Sequence, residues 1–101
     1  LDPRVLNGMI FALFGLYDYQ RLTRDSRAQS LLRAGLETVK TYLPRFRTPR
    51  GPSLYCLEHR VPSKSYHGIH TRQLPALHSR TGDPVFKESA GRFAADFDAG
   101  A

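Results

Sequence analysis

The stretch VLNGMIFALFGLYDY, residues 5–19, decides the fold class. At helical spacing, Val5, Leu6, Met9, Ile10, Phe11, Leu13, Phe14, Leu16 and Tyr17 leave almost no polar face. A helix that is apolar all round needs neighbours all round. The four short helices that 101 residues admit supply few of them, so the pattern predicts a place inside a larger helical assembly. A membrane span is excluded for this run, since crossing a bilayer takes roughly 18 consecutive apolar residues.

Working outward, Asp25 or Ser26 is placed to cap a second helix running to Leu43, with Pro44 ending it. Its apolar stripe is Ala28, Leu31, Leu32, Gly35, Leu36, Val39, Tyr42 and Leu43, with Arg27, Arg33, Glu37 and Lys40 mostly opposite. PRFRTPRGPS, residues 44–53, is a Pro- and Arg-rich connection. Leu54 to Glu58 alternates as a short strand, with Tyr55 and Leu57 on one side and Leu54 and Cys56 on the other. VPSKSYHG, residues 61–68, reads as loop. A third helix is predicted over Ile69 to His78, kinked or restarted by Pro75. Asp83 then caps a last helix with Pro84 in its first turn, where Phe86, Ala90, Phe93 and Phe97 give one buried face. The fold class is mainly α with a small β element near residues 54–58.

The net charge of +6 and a pI of about 10.0 point to an anionic partner. A single cysteine, Cys56, excludes an internal disulfide, and no Cys/His spacing matches a zinc site. No repeat, Gly-rich phosphate loop or Ser/His/Asp spacing is present. The opening LDPRVLNG, without a methionine, reads as a cut inside a longer polypeptide.

Chemistry-bearing residues gather in SLYCLEHRVPSKSYHGIHTRQL, residues 53–74. Tyr55 and Tyr66 flank His59, Arg60 and Lys64, and His67 and His70 follow at once. Tyr55 on a half-buried strand is equally a packing residue. Tyr66, beside Gly68 in a loop, is the better site candidate. His67 and His70 lack a third ligand for a metal and serve better as a cap or a substrate contact. Asn7, inside an apolar helix, must satisfy its amide with the backbone or with a ligand hydroxyl.

RVLNGMIFALFGLYDY, GLETVKTYLP, LYCLEH, YHGIHTRQL and PVFKESAGRF, in this order, resemble the C-terminal portion of D-glucuronyl C5-epimerases. These enzymes invert glucuronate to iduronate in heparan sulfate precursors. The resemblance implies the C-terminal part of an (α/α) toroid-like helical domain, residues 1–101 forming one piece of a longer chain. It implies catalytic roles for Tyr55 and Tyr66 and substrate contacts for Asn7, His59, Arg60, His67 and His70. It places a catalytic glutamate and further tyrosines upstream. The implied partners are an acidic polysaccharide of heparosan or heparan sulfate type and the upstream polypeptide, with a second copy of the chain also admitted. No cofactor and no metal are implied, and an animal-type parent would work in the Golgi lumen. Glu58, where animal enzymes carry arginine, and Pro75 depart from the family pattern.

The chemistry suits those residues. Inversion at carbon 5 removes a proton alpha to a carboxylate and returns one to the opposite face, with cations neutralising the developing dianion. A phenol is an acid at pH 7, but ionising one to serve as a base costs about 4 kcal/mol, which neighbouring cations reduce. The rival class is a non-catalytic basic module gripping sulfated or carboxylated glycans. Nucleic acid is the weaker polyanion, because Phe11, Phe14, Phe86, Phe93 and Phe97 recur at helical core spacing and not on a stacking platform.

Overall fold

The computed structural model describes residues 4–98, and within them the chain is mainly helical. Four helices follow one another: α1 (Leu6–Thr23), α2 (Ser26–Phe46), α3 (Lys64–Thr81) and α4 (Pro84–Asp96). Two-residue links, Arg24–Asp25 and Gly82–Asp83, fold α1 on α2 and α3 on α4 as helical hairpins. The hairpins join through α1 against α3 and α2 against α4.

Local chemistry explains the helix ends. Asp25 accepts from the Arg27 and Ala28 amides at the start of α2, and Asp83 accepts from the Val85 amide at the start of α4, with Pro84 in the first turn. Gly82 closes α3 at φ 69, its N–H donating to the His78 carbonyl at 2.7 Å. Two expected boundaries move. Pro44 does not end α2, because the loss of one amide near the last turn is outweighed by burial of Phe46 and by the Leu54 N–H donating to the Phe46 carbonyl at 2.8 Å. The third helix starts at Lys64, where Ser63 caps it by accepting from the Tyr66 amide, and it runs through Pro75 without restarting.

The core draws Leu6, Met9, Ile10 and Leu13 from α1, Val39, Leu43 and Phe46 from α2, Leu74 and Leu77 from α3, and Phe86 and Phe93 from α4. The all-round apolar α1 finds partners on one side only. Phe11 is 60% exposed and Leu22 86%, and Leu31 of α2, expected in the stripe, is 61% exposed. No strand forms among the described residues. In place of the expected element at 54–58, Val5 pairs with Cys56 and Leu54 with Pro62, each as an isolated antiparallel bridge. The hydrogen bonds are spent on three different segments, so no ladder propagates.

Two ion pairs tie α2 to α4. Lys40 reaches Asp83 at 2.8 Å and Glu37 at 2.7 Å. Arg47 grips Asp96 with two bonds, Nε to Oδ2 at 2.7 Å and Nη2 to Oδ1 at 2.9 Å.

Candidate active site

The loop between α2 and α3 doubles back on itself. The Ser63 N–H donates to the Ser53 carbonyl at 3.0 Å and the Tyr55 N–H to the Val61 carbonyl at 3.4 Å. The reversal is closed by the Arg60 N–H donating to the Cys56 carbonyl at 3.1 Å, with Arg60 in the left-handed region at φ 53. On the other edge, the Leu57 N–H donates to the Arg4 carbonyl at 2.8 Å, binding the loop to the start of α1. This backbone keeps the expected alternation without being a strand: Leu54 and Cys56 face in, and Tyr55 faces out, 38% exposed.

Tyr66 sits in the first turn of α3, on a helix and not in the expected loop. Its ring lies against that of Tyr55, centroids 4.2 Å apart and planes tilted by 47°. The two phenols named from sequence are therefore one aromatic pair. With the ring faces this close, nothing the size of a sugar ring fits between them.

His67 and His70, expected to touch substrate, lie inside the fold. Both rings are buried to 0% exposure. His67 Nδ1 receives the Ser53 N–H at 2.8 Å, and its Nε2 stands 2.7 Å from the Phe97 carbonyl. Ser53 Oγ lies 2.8 Å from Nδ1 of both histidines. Burial pushes His70 down to about 4, and the neighbouring His67 adds to this. His70 is thus neutral at pH 7 and brings no positive charge to the phenols. Ser53, 1% exposed, went unnoticed in the sequence because a serine after PRGP reads as ordinary loop.

His59 and Arg60 lie on the exposed turn beside Tyr55. His59 Nδ1 is 3.2 Å from Cys56 Sγ, and the His59 N–H also points at that sulfur at 3.4 Å. The thiol is held below its ordinary value, first by the His59 amide and then by its ring, while the Cys56 sulfur raises His59. A Cys-x-x-His spacing on a tight turn was the legible signal for this pair. Glu58 meets Arg4 at 3.4 Å. Asn7 is partly buried at the first turn of α1; its carbonyl accepts from Gln73 Nε2 at 3.1 Å, and its Oδ1 is buried without a partner among the described residues. No three His, Cys, Asp or Glu side chains among the described residues are grouped as metal ligands.

Comparison with known proteins adds a separate line. The family model for the D-glucuronyl C5-epimerase C-terminus matches residues 2–95. An uncharacterized protein of Methanocaldococcus jannaschii is 33% identical over 84 residues, covering 83% of this chain and 27% of that protein. The D-glucuronyl C5-epimerase of Caenorhabditis elegans is 29% identical over 108 aligned positions, covering 88% of this chain and 17% of that enzyme. The chain thus spans less than a third of either relative's length. No solved structure matches.

Proposed function

We propose, for a chain that belongs to the D-glucuronyl C5-epimerase C-terminus family, that it carries acid/base tyrosines of a uronyl epimerase acting at carbon 5 of D-glucuronate in heparosan- or heparan-sulfate-type glycans. The observation that carries this reading is the Tyr55–Tyr66 pair, two phenol rings with centroids 4.2 Å apart on a loop and a capped helix start. Base abstraction of the carbon-5 proton leaves its electron pair in an enediolate delocalised over the carboxylate. A phenol O–H on the opposite side of the sugar then delivers a proton to carbon 5 and completes the inversion. His59, which its partner Cys56 makes more basic, and the exposed Arg60 stand on the same turn as Tyr55 to meet the dianion. Asn7 Oδ1, a buried acceptor without a partner among the described residues, suits a sugar hydroxyl.

Because the two rings touch, both phenols serve from one side of the site, and groups upstream in the same polypeptide complete the other side. On this reading the two helical hairpins are the closing part of an (α/α) toroid-like domain, and the outward face of α1, with Phe11 and Leu22, meets its upstream helices. The experiment is tritium release from a heparosan-type polymer labelled at carbon 5, using the polypeptide that carries residues 1–101. Release to water, with iduronate formed, is the expected result. Glycan binding without exchange would instead make the chain a non-catalytic basic module, a reading its net charge of +6 favours.

A further inference from the structure

Resting on the role proposed for the tyrosine pair, we infer that Ser53, His67 and His70 form a buried positioning unit that sets Tyr55 against Tyr66. Tyr55 follows Ser53 by two residues and Tyr66 immediately precedes His67, so whatever joins Ser53 to α3 joins the two phenols. Ser53 makes that joint with every polar group it has. Its N–H donates to His67 Nδ1, its Oγ meets Nδ1 of His67 and of His70, each at 2.8 Å, and its carbonyl accepts from Ser63, the cap of α3, at 3.0 Å.

The geometry also fixes the His67 ring proton. Ser53's backbone N–H is a donor, so His67 Nδ1 is the acceptor and the ring proton sits on Nε2, where it donates to the Phe97 carbonyl. With that lone pair taken, the Ser53 hydroxyl turns to His70 Nδ1, 2.8 Å away. Phe93 closes the knot from α4, its ring stacked on His67 and edge-on to His70, each with centroids 6.2 Å apart. A buried network of this kind holds one geometry, and positioning of reacting groups is where small displacements are most costly.

The test begins on the unsubstituted protein. Nitrogen-15 NMR of the imidazoles is expected to show His67 with its proton on Nε2, and a proton on His67 Nδ1 overturns the inference. Ser53→Ala should keep the helical circular dichroism but lose the ring-to-ring nuclear Overhauser contacts between Tyr55 and Tyr66. His70→Asn, which keeps an acceptor near the Nδ1 position, should retain those contacts, and His70→Leu should lose them. In the polypeptide that carries the chain, Ser53→Ala should lower kcat by about 10²-fold while KM stays within about twofold. Intact Tyr55–Tyr66 contacts in Ser53→Ala would dispose of the unit. If phenylalanine replacements of the tyrosines leave turnover unchanged, the proposed function falls instead, and the NMR contacts still decide the positioning by themselves.

Discussion

Tyr55 and Tyr66 meet ring against ring, 4.2 Å between centroids, from opposite ends of a loop that doubles back at Cys56–Arg60. Neither ring is placed by local propensity alone. Tyr55 is turned outward because Leu54 and Cys56 on either side are drawn into the core and into the bridges to Pro62 and Val5. Tyr66 is set by the Ser63 cap, which starts α3 three residues earlier in the chain. The contact covers part of each phenol face and leaves Tyr55 38% exposed.

His70 predicts how the fold responds to acid. Its value is held at about 4, below the ordinary 6.5, so between these pH values the unfolded chain takes up a proton that the folded chain refuses. The stabilisation is therefore complete above pH 6.5 and is lost as pH falls towards 4, amounting to about 3 kcal/mol over that window. Urea unfolding at pH 7 and pH 4.5 should show the loss, and His70→Leu should flatten it. A parent protein with the same stability at both pH values would refute the assignment.

A second acid limb belongs to Asp83 and Asp96. Hydrogen bonds from Lys40 and Arg47 respectively hold both carboxyls below the ordinary 3.8. A depressed carboxylate contributes above its unfolded value and the contribution disappears as pH falls below it, so this limb lies under that of His70. Asp96→Ala strands the Arg47 guanidinium and should cost about 1–3 kcal/mol, whereas Arg27→Ala, at a pair whose arginine is 91% exposed, should change almost nothing. Chemical denaturation of the two variants makes the comparison.

Cys56 should behave as an activated thiol although it is only 6% exposed. The His59 amide and ring both favour the thiolate. Alkylation by iodoacetamide should therefore persist to lower pH than for a free cysteine. His59→Gln should move the profile towards ordinary behaviour, and superimposable profiles for the two proteins would show that the pair is inert.

How far the sequence could be read depends on range. Caps, apolar spacing and the helix-opening Pro84 are local, so the first helix, the second cap and the fourth helix were legible. Pro44 and Pro75 misled because each costs one hydrogen bond locally while Phe46, Leu74 and Leu77 gain burial from distant partners. Tyr55 and Tyr66 are named through the family resemblance, yet their contact depends on Ser53 reaching two histidines across the loop, and no periodicity encodes such a bond. The same histidines, as bare letters beside tyrosines, suggest cations. Only their burial shows that the His70 charge is withheld.

The grip on a glycan should depend on salt. Arg60 and the other exposed cations act across water, where screening shortens their reach to about 8 Å at physiological ionic strength. Affinity for a sulfated or carboxylated polymer should fall steadily from low to high salt. A flat dependence would assign binding to uncharged contacts.

The tyrosines give the final prediction. Tyr66→Phe and Tyr55→Phe each remove one hydroxyl and keep the ring, so the 4.2 Å contact and the fold should survive. If each hydroxyl transfers a proton, turnover of the polypeptide that carries the chain should drop by roughly 10²-fold or more while glycan binding is nearly intact. Because the phenols approach from one side, the losses need not match. The variant lacking the proton donor should still exchange label out of one epimer faster than it forms the other, which tritium release and product analysis can separate. Near-parental epimerisation by both variants, correctly folded, would leave the pair as a packed rim of the binding surface and place the proton transfers elsewhere in the polypeptide.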